Sequence, residues 1–218
     1  MTEAARWLEG RLSEMEGALS ALVNVNSFTD NKAGGNRVAD LLCEVFAIEG
    51  LTQRRVASEK YADHLVFSTG GRAGAKSVGL IGHLDTVFPP GVFEGYRVDG
   101  ELRRGPGVLD MKGGLVVVAW ALKALQQTKG LQGLPQLKVI IVSDEEVGSF
   151  EGAPLIRAEL AGAQAALVFE SGRANDAVVT SRKGTGNLDV TAKGKAAHAG
   201  NNHQDGANAV WALARFID

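Results

Sequence analysis

The sequence predicts an α/β fold: a mixed, largely parallel sheet flanked by helices, followed by the start of an α+β segment. Three observations carry this. The runs 78–82, 137–142 and 165–169 are apolar but for Lys138, as strands covered on both faces are. Between them, apolar residues recur at helical spacing. Beyond Ser171 the texture changes, and Leu188, Val190 and Ala192 alternate with polar neighbours as in half-buried strands. A boundary near Arg182 to Gly186 divides the chain into residues 1–182 and 183–218.

In order along the chain, Trp7, Leu8, Leu12, Met15, Leu19, Leu22 and Val23 predict one amphipathic helix over 3–25. A polar loop over 24–35 leads to a second helix over 36–49, with Gly50 as its stop. Short strands follow at 52–57, 65–68 and 78–82. Val98-Asp99-Gly100-Glu101-Leu102 reads as a small hairpin, and glycines at 105, 107, 113 and 114 surround the entry to a helix over 115–126. After the strand 137–142 come a short helix over 153–161, a third buried strand at 165–169, strands at 177–181 and 186–192, and a helix over 207–217.

Composition excludes several function classes. With 45% hydrophobic and 22% charged residues the chain is that of a globular protein, and a formal charge of −2 provides no basic field for nucleic acid or an anionic membrane surface. No apolar run reaches membrane-spanning length, and the charged N-terminus lacks a signal peptide's apolar core, so a cytoplasmic setting is expected. The single cysteine, Cys43, cannot form an internal disulfide and falls on an apolar helix face. Residues 70–77 nearly spell a phosphate-binding loop. However, Ala75 stands where the second glycine belongs and a strand follows instead of a helix, so the segment reads as a hairpin turn.

Four strand ends or turns deliver metal-ligating side chains: His83, Asp110, Glu146 and Glu170. Taken alone, His83 reads as a histidine at a strand end and Asp110 as a helix cap. Taken together they gain a different meaning, because the carboxyl ends of parallel strands meet on one rim. Carboxylates and imidazole without thiolate suit Zn2+, Co2+ or Mn2+. A shared carboxylate can bridge two ions, and the adjacent Glu145 is then free to act as general base on a metal-bound water. Asp85, two residues from His83 on an extended strand, shares its side and can orient its ring.

The ordered set G-H-L-D-T-V, G-P-G-V-L-D-M-K-G-G, S-D-E-E-V-G-S, F-E-S and G-K-A-A-H-A-G resembles the dizinc metallopeptidase and deacylase family of glutamate carboxypeptidase, acetylornithine deacetylase and succinyl-diaminopimelate desuccinylase. The resemblance runs from the first helix to the last residue and is nearest to the glutamate carboxypeptidase branch. It implies a zinc exopeptidase-like catalytic domain in residues 1–182 and the beginning of a lid and dimerisation domain in 183–218. It further implies that His83 binds one metal, Asp110 bridges both, Glu146 binds the second and Glu170 completes the first. Asp85 would orient His83, and Glu145 would move the protons. His198 would polarise the scissile carbonyl from the lid, across a homodimer. The bond from Asp110 to Met111 is expected to be cis.

The implied reaction is hydrolysis of an amide or peptide bond next to a C-terminal or N-acylated amino acid. The substrate would be a small peptide or, alternatively, an N-acyl amino acid of the acetylornithine or succinyl-diaminopimelate type. In the family the chain returns after the lid to supply a last histidine ligand, whereas this sequence stops in the lid's first helix. It is therefore expected to be an N-terminal fragment that binds at most one metal tightly and turns over poorly. A non-catalytic metal-binding module is the competing expectation.

Overall fold

The computed structural model describes residues 2–71, 76–184, 186 and 188–218, in two compact units, Met1–Asp176 and Ala177–Asp218. The first unit opens with helices α1 (Glu3–Leu8), α2 (Leu12–Val23) and α3 (Lys32–Val45), followed by strands β1 (Leu51–Val56), β2 (His64–Thr69) and β3 (Val78–His83). A small hairpin of β4 (Arg97–Asp99) and β5 (Leu102–Arg104) precedes α4 (Lys112–Lys129), β6 (Leu137–Val142), α5 (Gly152–Glu159) and β7 (Ala165–Val168).

The sheet has the order β1-β2-β6-β3-β7. β1 and β2, and β2 and β6, pair antiparallel, while β3 pairs parallel with β6 on one side and β7 on the other. Only β2 therefore runs against the other four, which is the expected mixed and largely parallel sheet. The carboxyl ends of β6, β3 and β7 consequently share one rim.

Beneath the sheet lies a core of Leu22, Val38, Leu42, Phe46, Leu65, Phe67, Leu115, Ala119, Leu122, Val139 and Ile141, with Phe46 and Phe67 stacked at 4.8 Å between ring centroids. Each of these side chains larger than Ala119 contributes on the order of 1.5–3 kcal/mol when fully buried.

Several boundaries differ from the sequence expectation. The helix predicted over 3–25 is two helices, because Glu9 is extended and Gly10 turns left-handed at φ 79°. α3 begins earlier than residue 36. Asn31 accepts from the Gly34 amide at 3.1 Å and caps it. Glycine is required in that first turn, since a Cβ on Gly34 would lie 2.0 Å from the Asn26 carbonyl oxygen.

The turn expected to join β2 and β3 as a hairpin does not, because β6 separates the two strands; its residues 72–75 lie outside those described. β7 is apolar but exposed along its length, since it stands last in the sheet order, with β3 its one neighbour among the described residues.

In the second unit, α6 (Ala209–Ile217) is capped by Asn208, which accepts from the Trp211 amide at 3.0 Å. The strands expected at 177–181 and 186–192 are not formed among the described residues. A strand exists only as part of a ladder, and this unit's one described pairing is the bridge between Lys195 and Ala207. Residues 185 and 187 lie outside the description.

Candidate metal centre

The site is built on the carboxyl ends of three neighbouring parallel strands. His83 is the last residue of β3, in register with Val142 at the end of β6. The chain beyond β6 leads to Glu145 and Glu146 in a short 3-10 turn, Glu145–Val147, and the chain beyond β7 reaches Glu170. His83 is buried, 1% exposed, and its two ring nitrogens face different groups. Nδ1 lies 3.0 Å from the Asp85 backbone oxygen and 3.3 Å from Asp85 Oδ1. Nε2 lies 3.1 Å from Asp110 Oδ1, 3.6 Å from Glu170 Oε1 and 4.0 Å from Glu145 Oε2. With Nδ1–H donated to Asp85, the Nε2 lone pair is the atom aimed at the carboxylates.

His83, Asp110 and Glu146 offer ligand atoms that all lie within 4.8 Å of one another. So many carboxylates around one point repel each other, and the protonation equilibria record it. Glu146 is pushed up to about 7, first by burial and then by Asp110, Asp85 and Glu145, against the pull of His83. Glu145 is raised too, again chiefly by burial. Burial alone would lower His83, but hydrogen bonds and charge from Asp85 and Glu170 overcome it and raise the ring to about 11. Glu170 is held low, first by its hydrogen bond with His83. In effect a proton on Nε2 reconciles the cluster. A divalent cation fits the same position better, because imidazole nitrogen and carboxylate oxygen are its preferred donors and its charge balances more than one acid.

Asp85, also 1% exposed, ties the two halves of the site together. Oδ1 accepts from the Glu145 amide at 3.3 Å and Oδ2 from the Glu146 amide at 3.2 Å. The carboxylate that faces His83 therefore also holds the turn that carries the two glutamates.

Asp110 is delivered by close packing of the next segment. The Asp110–Met111 peptide is cis. The N-cap position of α4 is Met111 and no side chain caps it, so Asp110 is not spent on capping and its carboxylate faces His83. A Cβ on Gly114 would lie 2.1 Å from the Phe169 carbonyl oxygen; only glycine lets α4 come this near the end of β7, which sets Asp110 beside Glu170.

Of the three consecutive acids 144–146, Asp144 turns away. It is buried, and its Oδ2 accepts from the amides of Glu151 at 2.7 Å and Gly152 at 3.1 Å, at the start of α5. His64 is a structural histidine, whose Nδ1 accepts from the Ser143 amide at 3.1 Å. His198 lies in the second unit, exposed, with Nδ1 accepting from the amides of Gly200 and Asn201, each at 3.2 Å.

Two contributors escape a reading of the sequence. Lys112 is fully buried and donates from Nζ to the carbonyl oxygens of Leu22 and Val25, both at 3.0 Å, at the end of α2; burial lowers it to about 7. A lysine shortly before the apolar run 115–122 is a faint signal of this. Thr29 donates from Oγ1 to Asp85 Oδ2 at 2.9 Å, from a loop 56 residues upstream, and no local pattern marks it.

Comparison with known proteins identifies the family of the chain. The family model described as Peptidase family M20/M25/M40 matches residues 79–216. Carboxypeptidase G2 of Pseudomonas sp. (strain RS-16) is 33% identical over 197 residues, covering 88% of this chain and 47% of that protein. A probable succinyl-diaminopimelate desuccinylase of Staphylococcus epidermidis is 34% identical over 158 residues, covering 67% of this chain and 37% of that protein. The chain thus spans less than half the length of these curated relatives. The aminopeptidase PepT from Bacillus cereus shares the fold, with a TM-score of 0.67 over 94% of this chain and 56% of that chain at 19% identity. No helix among the described residues is long and apolar enough to cross a membrane.

Proposed function

The chain belongs to peptidase family M20/M25/M40, and on that premise we propose a metal-dependent hydrolase that cleaves an amide or peptide bond next to a C-terminal or N-acylated amino acid. The observation that carries this reading is the convergence of His83, Asp110 and Glu146 within 4.8 Å, with Glu145 and Glu170 at the same rim. His83, Asp110, Glu146 and Glu170 would hold divalent metal, zinc by preference, with Co2+ or Mn2+ as substitutes. When bound, the metal supplies Lewis-acid charge that acidifies water and polarises the scissile carbonyl.

The rest is chemistry of the chain's own residues. Asp85 keeps a proton on Nδ1 of His83 and so directs the Nε2 lone pair into the site. Glu145, partly exposed and raised by burial, takes a proton from the attacking water and passes it to the leaving nitrogen. Its raised affinity for a proton suits both halves of that transfer.

The likeness to carboxypeptidase G2 favours a peptide-like substrate with a free C-terminal amino acid, and the likeness to the desuccinylase keeps N-acyl amino acids as the second reading. We assign residues 1–182 to the catalytic domain and 183–218 to a lid, from which His198 would reach the scissile carbonyl. Pairing of two copies through that lid and a cytoplasmic setting are carried forward from the sequence as parts of the same proposal.

The test is hydrolysis of N-acyl and peptidyl glutamates by zinc-loaded protein. Turnover should vanish on chelation and return with zinc. Turnover indifferent to chelation would overturn the proposal.

A further inference from the structure

We propose that Thr29 is a positioning residue of the metal centre, whose hydroxyl fixes Asp85 so that one carboxylate orients both His83 and the turn carrying Glu145 and Glu146. This rests on the reading of that cluster as a metal site. Beside its backbone oxygen, which faces His83 Nδ1 at 3.0 Å, the four contacts of the Asp85 carboxylate divide by distance. Those that reach into the site are long: His83 Nδ1 at 3.3 Å, the Glu145 amide at 3.3 Å and the Glu146 amide at 3.2 Å. The hydroxyl of Thr29 is the short one, at 2.9 Å, and comes from outside the site. Three weak contacts do not by themselves select one orientation of a carboxylate, whereas a short bond to a stiff donor does. A β-branched side chain 4% exposed has little rotamer freedom.

Thr29 is itself placed without using that hydroxyl. Its amide donates to the Thr86 carbonyl at 3.2 Å, and the Thr86 amide donates back to Ser27 at 2.9 Å. Ser27 Oγ donates to the Leu84 carbonyl at 2.7 Å, and Asn26 Nδ2 to Phe88 at 3.1 Å. The loop 26–29 is thus laced along the residues that follow His83, and Phe28 bridges Thr86 in parallel. The hydroxyl is left over from this stitching and points at Asp85. Removing it leaves the loop in place and takes one donor from a buried carboxylate.

The experiment compares wild type, Thr29→Val and Thr29→Ser in two measurements: zinc affinity by competition with a chromogenic chelator, and hydrogen exchange of the Glu145 and Glu146 amides in metal-free protein. Thr29→Val is expected to weaken zinc binding several-fold, up to the roughly 10-fold at which loss of a ligand's direct partner begins, and to speed exchange at both amides. Thr29→Ser, which keeps the hydroxyl, is expected to restore both. If Thr29→Val binds zinc as the wild type does and both amides exchange unchanged, with only thermal stability lowered, Thr29 is merely structural and the inference falls. If the wild type itself binds no zinc, the metal reading falls and takes this inference with it.

Discussion

Loading the site with zinc should expel protons in a number fixed by the electrostatics of the metal-free cluster. A ligating imidazole must be neutral at Nε2 and a ligating carboxylate ionised. His83, raised to about 11, is fully protonated throughout the neutral range, and Glu146, raised to about 7, is half protonated at pH 7. Binding through these two residues therefore releases close to two protons at about pH 6, falling towards one by about pH 8 as Glu146 ionises and His83 alone still carries its proton. An ordinary histidine, titrating near 6.5, would contribute only about 0.2 of a proton at pH 7. Isothermal titration of zinc in buffers of different ionisation enthalpy counts the released protons directly, and the apparent affinity should rise with pH accordingly. Release below about half a proton at pH 8, where Glu146 contributes almost nothing, would refute the claim that Asp85 and Glu170 load His83 with a proton in the free site.

Further outcomes follow from the same geometry. Glu145→Gln should keep zinc affinity close to wild type while turnover in the zinc-loaded protein falls by roughly 2–4 orders of magnitude, the usual worth of a general acid–base; steady-state kinetics beside metal analysis decides it, and retained turnover removes Glu145 from that role. Gly114→Ala should both destabilise the fold and weaken zinc binding, because the new Cβ meets the Phe169 carbonyl at 2.1 Å; denaturant unfolding and chelator competition would show an unchanged variant if the contact were not tight. Above pH 7, two buried cations oppose each other. His83, raised to about 11, withdraws stability as pH rises, while Lys112, lowered to about 7, returns it. The thermal midpoint of metal-free protein should thus change little between pH 7 and 9, whereas Lys112→Met should lose stability over that range; equal profiles would contradict the assignment.

Much of this architecture is legible in the sequence for one reason. The apolar runs of β3 and β6 end abruptly in chemistry-bearing residues, so the same pattern that identifies a buried strand also marks its functional end. His83, Glu146 and Glu170 stand out in this way, and Asp110 stands out because glycines crowd its turn. What the sequence hides is relational. Asp144 looks equivalent to Glu145 and Glu146, yet the start of α5 claims it, and only the path of the chain after residue 147 shows that. Thr29 has no local signature, because its importance lies in a contact with a strand end far along the chain. Lys112 is only faintly marked as a buried group until α2 is seen to end against it. β7 has the composition of a central strand and lies at the edge, since hydrophobic patterning reports the tendency to be covered and says nothing of position in the sheet order.

The central claim is that His83 and its acidic neighbours form a binding site for a divalent ion. Equilibrium dialysis of zinc against the purified chain, with His83→Ala and Asp110→Ala beside it, tests this most directly. The account predicts tight zinc uptake by the wild type and loss of at least about 100-fold in affinity in each variant, as expected when a direct ligand is removed rather than an outer partner. Zinc uptake that is equal in all three proteins, or absent in the wild type, would contradict it.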